Sequence, residues 1–292
     1  MPETPGTGGQ RFGDRVGAAF AAHGRLCVGI DPHGHLLDRW DLENTADGAR
    51  ELGLRVVEAA HGRVGFLKPQ VAFFERFGAA GFAALERVLR EAREARLIVI
   101  ADAKRGDIGS TNEGYADAWL KPGSPLESDA VTLSPYLGFA SLRPTVDFAR
   151  KHGKGVLVLA ATSNPEAAAI QTARVESGGS VSTRIVDAVA GLNHSASEGR
   201  ASAGEVGDVG VVLGATVDFA ESRIDLGALA GPPATPILAP GFGAQGAHYR
   251  DVTRLFREAA PSVIASASRS ILEAGSAGVA EAILRASEEL SR

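Results

Sequence analysis

The sequence predicts an α/β fold, a single-domain (β/α)8 TIM barrel. Its 292 residues fall within the size range of such barrels. Eight short strand-like runs alternate with stretches of helical spacing, and no repeat or linker indicates a second domain. Because right-handed crossovers make the sheet parallel, the C-terminal ends of all the strands should meet at one face, where barrel enzymes carry out chemistry.

Composition argues against several other classes of protein. Hydrophobic residues make up 45% and charged residues 22% of the chain, which is ordinary globular usage. The net charge of -5 argues against a general nucleic-acid or membrane surface. The single cysteine, Cys27, permits no intramolecular disulfide and lies between apolar neighbours, so we expect a small buried side chain in a cytoplasmic protein.

The first residues differ from the rest of the chain. Residues 1–11 are rich in Gly and Pro and lack an apolar signal core, so we predict a disordered leader there and the barrel domain at 12–292. No apolar run approaches the length of a membrane span.

The predicted strands are apolar runs that end at breakers or charged residues. Pro32 ends the first strand and leaves Asp31 at its mouth, and Lys68, just before Pro69, repeats this pattern of a charged residue at the mouth in the second. The strands are predicted at residues 25–32, 64–69, 97–104, 130–135, 155–161, 206–216, 236–240 and 262–267.

Helical spacing fills the intervals between these strands. Residues 81–96, for example, place Leu85, Val88 and Leu89 on an inner face with Glu and Arg outside. The small, polar segment 166–182 is expected to pass over the mouth. The helices are predicted at residues 12–23, 43–61, 81–96, 141–151, 185–192 and 279–290, with another capped by Ser110 or Thr111 and continuing through Trp119.

The third strand ends in an unusual concentration of charge. Alternation along a strand predicts that Asp102 and Lys104 point to one side and Arg105 to the other, with Asp107 beyond the strand end. Taken alone, Asp102 and Lys104 could be a structural ion pair. Charges placed at the end of an apolar run are costly to desolvate, however, which favours a functional interpretation.

Other strand ends indicate a phosphate-bearing ligand. Loops after the last two strands of such barrels often hold a phosphate, and Gly241, Gly243 and Gly246 would permit close backbone approach. Arg269 supplies donors suited to phosphate oxygens, although an ordinary turn beside a surface arginine is the alternative. Asp31, His33 and His35 could together be considered as metal ligands. A Pro-His-Gly-His loop is more typical of a solvated turn, however, so we predict no metal site.

The pattern Asp-x-Lys-x-x-Asp-Ile-x-x-Thr-Asn, from Asp102 to Asn112, resembles the central motif of the orotidine 5'-phosphate decarboxylase family, whose members make UMP in pyrimidine biosynthesis. Sugar-phosphate decarboxylases and synthases of the same superfamily share its first half. The resemblance extends in order along nearly the whole barrel, and Thr-Leu-Ser-Pro-Tyr-Leu-Gly is similar to the longer bacterial subgroup. The further matching elements are Ile30-Asp31, Lys68, residues 132–138, Ser163-Asn164-Pro165, residues 240–246 and Arg269.

The resemblance implies a catalytic role for four residues. Lys68, Asp102, Lys104 and Asp107 match the family's alternating charged array, in which Lys104 would protonate the ring carbon. Asp107 would be donated across the interface of a homodimer with shared active sites.

The resemblance also implies substrate contacts. Asp31 with Lys68 would hold the ribose, Ser163 the pyrimidine, and Gln245 and Arg269 the phosphate. Thr111 would reach the neighbouring subunit's site near the ribose. Ser268 departs from the family, which often has Gly before this arginine, and this puts the local backbone contact to phosphate in doubt.

Elementary chemistry agrees with that implication. Loss of carbon dioxide from a ring carbon leaves a carbanion, which an adjacent ammonium can stabilise and then protonate, so no metal or organic cofactor is expected. A metal-assisted sugar-phosphate lyase or decarboxylase of the superfamily and a noncatalytic nucleotide-binding barrel are the alternatives.

Overall fold

In a computed structural model that describes residues 10–176, 178–197, 202 and 204–292, the chain forms a closed barrel. Each strand pairs in parallel with the next, and the last closes the barrel against the first. The strands are β1 Leu26–Ile30, β2 Phe66–Pro69, β3 Ile98–Arg105, β4 Ala130–Leu133, β5 Gly155–Ala161, β6 Val209–Leu213, β7 Ile237–Pro240 and β8 Val263–Ala267. The predicted fold class is therefore confirmed.

Helices cover the outside of this barrel. They are α1 Phe12–His23, α2 Gly34–Arg39, α3 Ala46–Ala60, α4 Ala72–Glu75, α5 Gly78–Glu94, α6 Gly109–Leu120, α7 Arg143–Lys151, α8 Ala168–Gln171, α9 Val181–Ser197, α10 Gly227–Ala230, α11 Val252–Phe256, α12 Arg269–Leu272 and α13 Gly275–Ser291. Short 3-10 helices lie at Phe139–Leu142, Pro165–Ala167, Tyr249–Asp251 and Arg257–Ser262. No helix in the described ranges has both the length and the apolar character needed to cross a bilayer.

Two local expectations were wrong. The sixth strand was predicted over 206–216 but ends at Leu213, and Val206 forms only an isolated bridge with Ala234. Neither Ser110 nor Thr111 caps α6, because both lie inside its first turn. Asp107 and Asn112 organise the approach to α6 instead, through side-chain bonds to the backbone amides of Ile108 (2.8 Å) and Asp107 (3.0 Å) respectively.

Strand alternation divides the core into two clusters. On β1, Cys27 points into the barrel interior with residues such as Phe66 and Ile264, whereas Val28 and Ile30 join the larger cluster between strands and helices. Burial raises the pKa of the Cys27 thiol to about 12, so this side chain stays a neutral, packed group as expected.

Helix α1 closes the N-terminal end of the barrel. Phe12 fills the space beside Gly155, where an added Cβ would lie 2.3 Å from the Phe12 ring. Asp208 accepts from the Gly13 amide at 3.0 Å and pairs with Arg11 at 3.1 Å. Residues 1–9 of the predicted leader lie outside the described residues. With this end closed, the opening of the barrel is at the C-terminal ends of the strands.

Candidate active site

A cleft opens at the C-terminal ends of the strands. Its lining combines apolar side chains with a few converging polar groups, which is typical of a site for a small-molecule ligand. Its floor is formed by apolar side chains of β5 to β7, and its walls carry a concentration of polar groups. These polar groups are Asp31, Lys68, Gln70, Asp102, Lys104, Thr162, Gln245, Ser266, Ser268 and Arg269.

Asp102 is the centre of the charged cluster. Lys68 Nζ lies 3.0 Å from Asp102 Oδ2, and Lys104 Nζ lies 2.7 Å from Oδ1. The hydroxyl of Thr132 also donates to Oδ1, at 2.9 Å. The carboxylate therefore accepts three hydrogen bonds, and two of them come from ammonium groups.

The two lysines differ in their access to the cleft. The Lys68 side chain is 8% exposed and that of Asp102 is 10% exposed, whereas 46% of the Lys104 side chain is exposed. Lys104 Nζ also lies 3.5 Å from Gln70 Oε1. Lys68 is thus packed behind the carboxylate, while Lys104 presents its ammonium to the open part of the cleft.

A bulge in β3 brings Asp102 and Lys104 together. Ala101 pairs with Val131 and Arg105 pairs with Leu133, so Asp102, Ala103 and Lys104 face a single residue of β4. Lys104 has a φ of +48°, in the left-handed region that side chains other than glycine seldom adopt. Sequence alternation predicted the convergence, but a bulge rather than a regular strand produces it. Arg105 points away from the cleft, as predicted, and pairs with Glu75.

Lys68 and Asp102 keep their charges over a wide pH range. Burial opposes the charged form of Lys68, but the carboxylates of Asp102 and Asp31 outweigh it and raise its pKa above the usual lysine value. Burial likewise opposes the Asp102 carboxylate, yet Lys68 and Lys104 hold its pKa well below the usual range. An ammonium at Lys104 beside a permanent carboxylate can stabilise negative charge that develops on a ligand and can donate a proton to it.

Two buried polar atoms on the β1 and β8 side of the cleft have no hydrogen-bond partner among the described residues. They are Asp31 Oδ1 and Ser268 Oγ. The Ser268 side chain occupies the space beside Gly29, where an added Cβ would lie 2.6 Å from Ser268 Cβ. Buried polar atoms normally have partners, so both are available to a ligand. Ser268 has φ -130°, so a glycine is not required here for backbone conformation.

The loop after β7 forms the side of the cleft next to Arg269. Gly241 and Gly243 have φ values of +115° and +74°, which allow the chain to turn sharply over the opening. Gln245 lines the cleft, and Ser163 Oγ donates to its Oε1 at 3.3 Å. The predicted phosphate region and the polar end of β5 are therefore in contact.

Three of the predicted site residues do not line this cleft: Asp107, Thr111 and Ser163, the last of which reaches it only through its contact with Gln245. Asp107 is half-buried in the turn before α6, and Thr111 is exposed on the first turn of that helix. Asn112, almost fully buried, holds the turn by accepting from the Asp107 amide and donating to Ser141 O at 2.8 Å. Asp107 and Thr111 lie at the same end of the barrel as the cleft but outside the cavity of their own chain.

Sequence reasoning missed Gln70 and Thr132. Gln70 follows the Lys68-Pro69 pair at the end of β2, and its amide donates to Asp102 O at 3.3 Å. Thr132 alternates with Ala130 on the inward side of β4, a position that a strand pattern could have identified. His33, considered for a metal, packs on Phe73 with ring centroids 3.9 Å apart.

Comparisons with known proteins find similarity over nearly the whole chain. The family model for orotidine 5'-phosphate decarboxylase / HUMPS matches residues 24–283. The orotidine 5'-phosphate decarboxylase of Corynebacterium glutamicum (strain R) is 49% identical over 264 residues, covering 90% of this chain and 91% of that protein. That of Salinispora arenicola is 48% identical over 266 residues, covering 91% of each.

Solved structures give the same result. The chain superposes on the crystal structure of a candidate orotidine 5'-phosphate decarboxylase from Streptomyces avermitilis with a TM-score of 0.89 and 42% identity, covering 100% of this chain and 98% of that one. The OMP decarboxylase of Leishmania donovani matches with a TM-score of 0.72 and 30% identity, covering 97% and 98% of the two chains.

Proposed function

The chain belongs to the orotidine 5'-phosphate decarboxylase / HUMPS family and converts orotidine 5'-phosphate to UMP in pyrimidine biosynthesis; from this premise we propose the roles of its side chains. The observation that carries the proposal is the convergence of Lys68, Asp102 and Lys104 on one cleft. The metal-assisted lyase and the noncatalytic barrel are not favoured, since relatives at 48% to 49% identity are named as this carboxy-lyase.

Lys104 is the proton donor. Loss of carbon dioxide from C6 of the pyrimidine leaves an electron pair on that carbon, and the ammonium is the exposed cation of the cluster. Its positive charge stabilises the developing carbanion, and its proton then forms the new C–H bond of UMP. The carboxylate of Asp102 lies 2.7 Å from the Lys104 Nζ and holds the ammonium in place before the reaction.

Asp102 also acts on the bound substrate. Its carboxylate is held beside the cleft by Lys68, so a substrate carboxylate placed next to Lys104 lies near a fixed negative charge. That repulsion falls as carbon dioxide leaves, and it therefore disfavours the bound substrate more than the transition state.

The other cleft residues bind the ends of the nucleotide. Asp31, with its unpartnered buried oxygen in the described structure, and Lys68 bind the ribose hydroxyls. Ser163 contacts the pyrimidine, and Gln245 and Arg269 bind the phosphate beside the glycine-rich loop. Binding energy from the phosphate helps to close this loop and to organise the reacting centre.

A homodimer completes the site. Asp107 and Thr111 lie outside the cleft of their own chain and reach the cleft of a second copy. Exposed apolar side chains beside Asp107 support an interface at this position, because large exposed apolar groups favour contact with another protein. They are Ile108 at 62%, Tyr136 at 76% and Leu137 at 54% exposure.

The sequence features also bear on the partners and the cellular location of the enzyme. A small nucleotide is its ligand, and the net charge of -5 supports the absence of a nucleic-acid partner. A single buried cysteine that cannot form an intramolecular disulfide supports a cytoplasmic location.

The test is a direct assay of turnover. Purified, metal-free protein is added to orotidine 5'-phosphate, and the loss of substrate absorbance is followed with and without a chelator. We expect equal rates in both. A rate that the chelator abolishes and a divalent ion restores would favour the metal-assisted alternative, and binding of UMP without turnover would favour the noncatalytic barrel.

A further inference from the structure

Thr132 lies opposite the bulge of β3 and contacts both parts of it. Its hydroxyl donates to Asp102 Oδ1 at 2.9 Å and accepts from the backbone amide of Lys104 at 2.9 Å. The residue is 1% exposed, and its own backbone is held on the other side by pairing with Leu157 of β5. One buried hydroxyl thus joins the carboxylate and the main chain of the lysine that are proposed to act on the substrate.

The bulge creates the need for this hydroxyl. Regular pairing between β3 and β4 stops at Ala101 and Val131 and resumes only at Arg105 and Leu133, so the Lys104 amide has no ladder partner. A part-buried amide left without an acceptor is unfavourable, and Thr132 supplies the acceptor from a side chain.

The conformation of Lys104 also requires support. Its φ of +48° is uncommon for a side chain other than glycine, and such conformations persist where the surroundings fix them. The bond from the Lys104 amide to Thr132 fixes the backbone, and the bond from Thr132 to Asp102 fixes the carboxylate that holds the Lys104 ammonium. The Thr132 hydroxyl oxygen therefore positions the Lys104 backbone directly and the Lys104 ammonium through Asp102.

We propose that Thr132 is a positioning residue for decarboxylation, which sets the direction of the Lys104 ammonium through Asp102 and the Lys104 backbone. The proposal rests on the roles proposed above for Asp102 and Lys104. Thr132 does not line the cleft, so it acts without touching the substrate. Loss of its hydroxyl should therefore impair the chemical step more than substrate binding.

The test compares Thr132→Val with Thr132→Ser. Valine keeps the shape and removes the hydroxyl, so we expect kcat to fall about 10-fold or more, since small displacements of a reacting group are costly. KM should stay within about 3-fold, because the binding residues are unchanged. Serine keeps the hydroxyl and should restore most of kcat. Thermal melts establish that each variant is folded, and Thr132→Ala, which adds no bulk, replaces the valine variant should the latter not fold.

Thr145→Val is the matched control. Thr145 is 2% exposed on α7, and its hydroxyl has no partner among the described residues, so its loss should leave kcat unchanged. A folded Thr132→Val or Thr132→Ala enzyme with wild-type kcat, or a serine variant as impaired as the valine variant, would overturn the inference. Lys104→Ala distinguishes failure of the Thr132 proposal from failure of the proposed function. Full turnover in that variant would reject the proposed role of Lys104 itself.

Discussion

Lys104 and Lys68 share one carboxylate but differ in what they can reach. Lys68 is packed against Asp102 with an 8% exposed side chain, which suits a group that holds a charge in place. Lys104 is bound to the same carboxylate, yet nearly half of its side chain faces the cleft. The difference comes from the backbone, since Lys104 leaves the regular strand at the bulge whereas Lys68 does not. Exposure thus separates the proposed proton donor from the residue that supports it.

Replacing Lys104 by alanine should abolish turnover and leave nucleotide binding. Removal of a general acid typically costs about 10²- to 10⁴-fold in rate, and this lysine also supplies the cation opposite the carbanion. UMP should still bind, because Asp31, Gln245 and Arg269 remain. Rates come from loss of substrate absorbance and affinities from calorimetry, with Lys121→Ala, an exposed lysine at the end of α6, as control. Unchanged turnover would reject the assigned role.

The profile of kcat/KM against pH should be broad, and its acid limb should move inward when Lys68 is removed. The lowered pKa of Asp102 gives stability that is present above the usual aspartate value and is lost as pH falls through the folded value. The raised pKa of Lys68 gives stability that is present below the usual lysine value and is lost as pH rises through the folded value. This pair should therefore not titrate between about pH 5 and 9.

The measurement is kcat/KM against pH for wild type and Lys68→Met. Without Lys68, Asp102 keeps its burial and loses its first stabilising charge, so its pKa should rise and the acid limb should move to higher pH. Lys151→Met, an exposed residue at the end of α7, should leave the profile in place. An acid limb that does not move in Lys68→Met would contradict the assigned coupling.

At the scale of elements, the site depends on how strands end and not on the strands themselves. The bulge of β3 presents Lys104, and the loop after β7 turns over the cleft on glycines with positive φ. Gly243 is the most constrained of these, because an added Cβ would lie 2.3 Å from Ser270 Oγ. The position of this loop beside Arg269 is therefore tied to the first turn of α12.

Replacing Gly243 by alanine should displace the β7 loop and raise KM for orotidine 5'-phosphate by about 10-fold, with a smaller effect on kcat, since remote phosphate contacts would be lost. Steady-state kinetics measure this. Adding Ser270→Gly removes the contacting atoms and should recover part of the loss, although the strain at φ +74° remains. Gly191→Ala, where a Cβ meets nothing within 4 Å on α9, should leave KM unchanged. Wild-type KM in Gly243→Ala would show that the loop does not contact the substrate.

At the scale of the whole molecule, one chain encloses only part of the proposed machinery. The barrel is closed at its N-terminal end by α1 and open at the other, and Asp107 and Thr111 lie outside the opening. The turn that carries Asp107 packs against the loop after β4, where an added Cβ at Gly106 would lie 2.3 Å from Ser134 O. These two loops therefore form one surface, and it carries the exposed apolar side chains.

Mixing two inactive variants should restore activity if the sites are shared. In the proposed homodimer, Lys104→Ala and Asp107→Ala would each disable every site. In a symmetric dimer, random exchange of equal amounts would leave roughly a quarter of the sites with both residues intact. Turnover of the mixture after subunit exchange is compared with each variant alone, and sedimentation gives the mass. A monomer, or a mixture as inactive as its components, would reject the shared site.

The sequence by itself determined the barrel and most of the cleft. Apolar runs ending in charge located the strands, and the parallel sheet brought Asp31, Lys68, Asp102, Lys104 and Arg269 to one face. These features are local patterns combined with one topological rule, so they can be read without coordinates.

Only the tertiary structure decided how the charged groups meet. A bulge is a difference in count between two strands that lie apart in the sequence, so no pattern within β3 predicted it. The hydroxyl of Thr132 and the amide of Gln70 became part of the cluster only because neighbouring strands place them against Asp102. The start of β6 and the turn before α6 escaped prediction for the same reason. Contacts between distant segments, namely the bridge from Val206 to Ala234 and the bond from Asn112 to Ser141 O, shape these two places, and local propensity does not.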